Sequence, residues 1–211
     1  MDSTSIFVGF ILRSGGWRVF DPTGPILGRY GVDAFSQRMV EYAAIVIGPM
    51  VARYIEGQRD RLARVAMPLP EPTKLRLRQH FTDFDLDRVR VVQADPLPIP
   101  DPPLYAILRW LRLDIPGPSS VAAITFDHLI ATREEVGLPL LFHELVHVVQ
   151  FRLLGVKAFS RLYVKGFFAG GGYHGIPLER CAFEMEQRYV MGKEPFDVEV
   201  EIAKWIDNGL F

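Results

Sequence analysis

Cysteine is almost missing from this chain: Cys181 is the single one in 211 residues. No intrachain disulfide can form, and a reducing compartment is tolerated. Charge of one sign is missing as well. Twenty-four Lys and Arg stand against 25 Asp and Glu, a net of −1, which leaves no basic excess for binding nucleic acid. Long apolar runs are also wanting. The longest, Tyr42–Ala52, is interrupted by Gly48-Pro49 and flanked by Glu41 and Arg53. It is too short to span a bilayer, and contact with a membrane surface is the lesser reading of it. The apolar stretch Ile6–Leu12 has no basic residue before it and makes a poor signal peptide, so a cytoplasmic protein is expected, with export by another route left open. No internal repeat or low-complexity run is present.

What is there suits a folded protein. Apolar residues make up 49% of the chain and charged residues 23%, which excludes disorder. The length allows one sizeable core, or a core with a helical extension. Pro68, Pro70 and Pro72 form a stiff connector, and they divide an N-terminal arm and helical extension, 1–70, from a second domain, 71–211.

Residues 1–32 are glycine-rich and read as loops with short extended pieces. Asp33 caps a predicted helix over 34–47, and a second helix over 50–65 follows the Gly48-Pro49 break. Thr73–Phe81 reads as a short helix with an exposed His80, and Asp83, Asp85 and Asp87 as a polar turn. Arg88–Gln93 and Val121–Ile130 have the alternation and branched residues of strands. Leu104–Leu113 reads as a short helix, and Pro116-Gly117-Pro118 breaks it. After Gly155, helices are expected over 158–168, from Pro177 to near Gly192, and within 197–210. The fold class is α+β, mainly helical, with a small sheet.

The most informative stretch is Leu138–Gly155. Pro139 suits a first helical turn and Gly155 a stop. The helix is apolar on every face, as in the interior of a domain, yet it carries His143, Glu144 and His147. Burying such groups is costly unless something pairs with them. In the order His-Glu-x-x-His the imidazoles lie one turn apart on one face. They can offer two nitrogens to one Zn2+ ion, with Glu144 placed to take a proton from a water that the ion polarises. A catalytic zinc site has three protein ligands and an open position. Glu179, near the start of the helix after the Gly170-Gly171-Gly172 turn, is the candidate third ligand. Glu184 points away from it, Glu186 shares its face two turns on, and Cys181 points elsewhere. His128 is expected not to be a ligand. Tyr173 and His174, on the turn before Glu179, are candidate hydrogen-bond donors to a developing oxyanion.

The segments ITFDHLIATR, LLFHELVHVVQFRLLG and IPLERCAFEMEQRY resemble zincin metallopeptidases of the gluzincin type, and more narrowly a group of small bacterial metallopeptidase-like domains of unknown function. The match runs from about Asp87 to Val190. The resemblance implies a minimal zincin-like fold, with a few strands beside an active-site helix and a glutamate helix, and a peptide or protein substrate. It leaves residues 1–70 unexplained. Cys181 and Phe183 stand where gluzincins often carry acids, one of which orients a histidine ligand through its other nitrogen. Two other readings stay open. One is a catalytically weak zinc-stapled interaction module that meets a partner or membrane through the N-terminal helices; the other is a metal-free helical protein. Oligomeric state is not legible in the sequence.

Overall fold

The structure is a computed structural model and describes residues 4–6, 11–13, 34–98, 121–192 and 194–211. Two short strands, β1 (Thr4–Ile6) and β2 (Ile11–Arg13), pair antiparallel. Helix α1 (Ala34–Leu62) follows, then β3 (Met67–Pro68), α2 (Glu71–Leu77), α3 (Asp83–Arg88) and β4 (Arg90–Gln93). Strands β5 (Ala123–Phe126) and β6 (Leu129–Thr132) lead into α4 (Leu138–Ala169). A 3-10 turn over Tyr173–Gly175, α5 (Pro177–Val190) and α6 (Val198–Asp207) complete the described elements. The expected helix over 104–113 and the Asp33 cap lie outside the described residues.

The architecture is α+β with helices dominant. The larger sheet has the order β3-β4-β6-β5. β4 runs parallel to β6, while β3 with β4 and β5 with β6 are antiparallel. Every residue of β5 and β6 is buried, as their uniformly apolar or small side chains demand. The expected single strand over 121–130 is instead a hairpin. Phe126 pairs with Leu129 across a two-residue turn, and Asp127 takes φ 60° there, a left-handed conformation that Asp tolerates better than branched residues. The Asp127 carboxylate holds the turn to its surroundings through Arg59, Arg88 and His128, each within 3.2 Å.

Three further expectations change in the structure. The two helices proposed around Gly48-Pro49 are one helix, α1, running through Pro49. Proline removes a helical hydrogen bond, but the small inner face of Ala44, Gly48 and Ala52 is buried. Gly48 lies so close to α4 that a Cβ there would stand 3.2 Å from the Arg161 Cα. Packing against α4 offsets the missing bond. The Asp83–Asp87 turn is the helix α3, capped by Thr82, whose side chain accepts from the Asp85 amide. His80 is buried, not exposed: its Nδ1 lies 3.1 Å from the Phe196 carbonyl and its ring packs among Phe142, Tyr189 and Phe196.

α4 is the central element. Pro139 sits in its first turn, and Gly155, at φ 76°, kinks it where a stop was expected. The second arm beyond the kink corresponds to the expected helix over 158–168. The first arm is buried continuously from Leu141 to Phe151. One apolar cluster, with Phe126, Phe151, Phe159, Tyr163 and Tyr173, lies to one side, and another, with Phe142, Leu145, Val149, Met185 and Ile202, to the other. Arg152, one residue past Phe151, reaches Asp85 of α3 at 2.6 Å and Glu199 of α6 at 2.7 Å. That ties three elements together around the buried Asp85 carboxylate. Among the described residues no helix is long and apolar enough to cross a membrane.

Candidate metal centre

His143 and His147 lie one turn apart on the first arm of α4, and Glu179 lies in the first turn of α5. The three side chains converge. The Nε2 atoms of the histidines are 3.1 Å apart, and Glu179 Oε2 stands 3.5 Å from His143 Nε2 and 3.4 Å from His147 Nε2. Ligands about 2.0–2.1 Å from a tetrahedral ion stand about 3.3 Å from one another, so the observed triangle fits one face of such a site. Among the described residues these three are the one group of His, Cys, Asp or Glu side chains placed to hold a metal ion.

The outer nitrogens show which way the lone pairs point. His143 Nδ1 lies 3.0 Å from Glu186 Oε2, and His147 Nδ1 lies 2.8 Å from Gln150 Oε1. The Gln150 amide nitrogen donates to the Leu178 carbonyl at 3.0 Å, which fixes its oxygen toward His147. Both partners accept, so both Nδ1 atoms donate, and the neutral rings turn their Nε2 lone pairs inward. With both rings neutral, two imidazole lone pairs and a carboxylate oxygen share one buried spot. A proton on one Nε2, or a metal ion among them, relieves that repulsion.

The proton affinities follow. Burial would lower the His143 pKa, but hydrogen bonds and charge from Glu179 and Glu186 outweigh it and raise it to about 10. Burial would raise that of Glu179, but His147 and His143 together pull it well below the ordinary carboxylate range. Tyr173 donates to Glu179 Oε2 at 2.8 Å and is fully buried. Burial, and then the neighbouring Glu179 charge, push its phenol well up.

Glu144 sits beside the triangle and does not belong to it. The Thr125 hydroxyl of β5 donates to its Oε2. Its Oε1 is buried and has no hydrogen-bond partner among the described residues. Burial raises the Glu144 carboxyl well above its ordinary pKa. An unsatisfied buried carboxylate oxygen costs stability, and its position next to the cation site is what a base for an incoming water requires.

The structure thus brings together His143, His147 and Glu179, with Glu144 and Tyr173 against them. His174 is exposed, with its ring tilted against that of Tyr173, and lies outside the converging group. Cys181 is buried, and burial pushes its thiol up to about 12; it too lies outside. His128 is bonded to Asp127 at the hairpin turn, and Glu184 is exposed. Sequence reasoning missed Gln150 and Glu186 as partners of the histidines, which they hold from positions other than 181 and 183. Both were within reach of helical arithmetic. Gln150 is three residues past His147, and Glu186 lies seven past Glu179 on the same face.

Comparison of this chain with protein-family models, curated proteins and solved structures gave no match.

Proposed function

We propose that this protein is a zinc-dependent peptidase of the zincin kind, in which His143, His147 and Glu179 hold the ion. The observation that carries the reading is the inward convergence of two imidazole Nε2 atoms and a carboxylate oxygen at a buried spot, beside a Glu144 oxygen with no hydrogen-bond partner among the described residues. Three protein ligands leave a tetrahedral ion one open position, the mark of catalytic zinc, whereas structural zinc is closed by four. When bound, zinc supplies Lewis acidity that acidifies a water and favours the ionised form of Glu144.

The chain's own groups do the rest. Gln150 and Glu186 hold the two imidazoles in the tautomer that presents Nε2. Thr125 fixes one oxygen of Glu144 and leaves the other to accept a proton from water. Tyr173 keeps Glu179 oriented by donating its one hydroxyl proton to Oε2. β5, which bears Thr125, ends its sheet among the described residues but is buried along its length, so an extended peptide would pair with that edge only once its cover moves aside.

One observation favours a second reading. His143, Glu144 and His147 are 0% exposed and Glu179 1%, so a polypeptide reaches the site only if something moves. A zinc ion that staples α4 to α5 needs no such access. The test is metal content after purification without added metal, then hydrolysis of casein with and without a chelator. Stoichiometric zinc with chelator-sensitive hydrolysis supports the peptidase. Stoichiometric zinc with no hydrolysis supports the staple, and absence of zinc from the wild type refutes both.

A further inference from the structure

α1 has two apolar faces, and among the described residues only one is packed. The inner face, Ala44, Gly48, Ala52 and Ile55, is buried. On the outer side Met39, Tyr42, Ile45, Val46, Pro49 and Met50 recur at spacings of three and four residues and are exposed, Tyr42 at 64% and Met50 at 62%. A helix apolar on both sides belongs in an interior or at an interface.

The rim of that outer face is cationic. Tyr42 and Ile45 line one groove with Arg38, Glu41 and Lys165, and Ile45 and Pro49 line the next with Arg53, Glu56, Lys157 and Arg161. Five bases therefore face two acids, in a chain whose net charge is −1. Glu41 is taken up by Arg161 at 3.3 Å and Lys165 at 2.6 Å. Arg38, Arg53 and Lys157 are exposed beside it.

We infer that the outer face of α1 docks in the plane of an anionic lipid surface. Tyr42, Val46 and Met50 enter the boundary between headgroups and acyl chains, and the basic rim meets the headgroups. An apolar face bordered by Lys and Arg is the form that binds anionic interfaces without crossing them. A second copy of the chain fits less well. A two-fold contact sets the same patch against itself, which would place the cationic rims near one another. The surface lies apart from the metal centre, so the inference stands whether or not the site hydrolyses peptides.

Co-sedimentation of the full chain with vesicles of phosphatidylcholine, with and without phosphatidylserine, tests it. Binding is expected only to the vesicles that contain phosphatidylserine, and it weakens as salt is raised. Tyr42→Ser with Met50→Ser abolishes it. Arg53→Gln with Lys157→Gln lowers the partition coefficient by about 30-fold at low ionic strength. All four positions are exposed or half-buried, and unchanged circular dichroism confirms that each variant folds. The charge variant leaves the apolar face untouched and tests the rim by itself. No binding to phosphatidylserine vesicles overturns the inference, and so does equal binding to neutral ones. Self-association that the Tyr42→Ser, Met50→Ser variant removes, without vesicle binding, would assign the face to a second copy instead.

Discussion

Gln150 accepts the Nδ1 proton of His147 at 2.8 Å and with its other end donates to the carbonyl of Leu178, the residue before Glu179. One neutral side chain, fully buried, thus sets the tautomer of the second histidine and anchors the turn that carries the carboxylate. Gln150→Leu keeps the bulk and removes both bonds. Zinc affinity, measured by competition with a chelator, is expected to fall about 10- to 100-fold. An unchanged affinity would show that the helices alone position the ligands.

Glu144 separates metal binding from chemistry. Glu144→Gln keeps the shape but cannot take a proton, so under the proposed function it is expected to retain stoichiometric zinc and to lose hydrolysis. Glu144→Leu with Thr125→Val removes the oxygen that has no partner among the described residues together with the hydroxyl that donates to the other one. The double variant is expected to raise the stability of the metal-free protein by about 1–3 kcal/mol in urea unfolding. Hydrolysis that survives Glu144→Gln would refute the proposed base.

The metal-free protein has a pH dependence of definite sign. The pKa of His143 is raised in the folded state from 6.5 to about 10. Its protonation stabilises the fold fully below about pH 6.5, and that contribution is lost as pH rises through about 10. Zinc must displace the same proton, so zinc affinity rises over this window while metal-free stability falls. Urea midpoints of the metal-free protein that stay flat across the window would show that the folded state does not hold that proton.

Asp85 is 1% exposed and is held by Arg152 at 2.6 Å. Removing the cation leaves the buried carboxylate uncompensated, whereas Arg152 would keep Glu199, so Arg152→Met is expected to cost about 3 kcal/mol. Arg152→Met with Asp85→Ala should recover part of the loss, since the uncompensated carboxylate is gone. Thermal unfolding of the single and double variants measures both.

Gly170 and Gly175 meet backbone to backbone at the turn that bears Tyr173; a Cβ on Gly170 would stand 2.4 Å from the Gly175 Cα. Gly170→Ala must push the turn apart and loosen the Tyr173–Glu179 bond, which lowers both thermal stability and zinc affinity. Gly171 has open space around it but φ 71°. Gly171→Ala therefore costs only the backbone strain, about 1 kcal/mol, and leaves zinc affinity unchanged.

Much of the fold was legible because its signals are local. The helices around the site, an interruption at Gly155, which reads as a stop and is a kink, and the start of α5 at Pro177 follow from apolar periodicity and from the backbone limits of Gly and Pro. The failures share a cause. Pro49 reads as a break until the inner face of α1 is seen against α4. The segment 121–130 reads as one strand because nothing in its apolar pattern marks the reversal at Asp127. His80 reads as exposed because its partner, Phe196, lies 116 residues away.

By itself the sequence determined that two imidazoles share one face of a helix too apolar to sit anywhere but inside, because a spacing of four residues is one turn. It also ranked Glu179 first among the acids, because the first turn of the following helix can face back toward that helix. Only the tertiary structure decided that the three donors close to within 3.1–3.5 Å. It alone placed Glu186 and Gln150 behind the rings and paired Thr125 with Glu144 across 19 residues. Those relations depend on how α5 and β5 pack on α4. Packing angles arise from the summed contacts of many side chains distant in sequence, which no local spacing encodes.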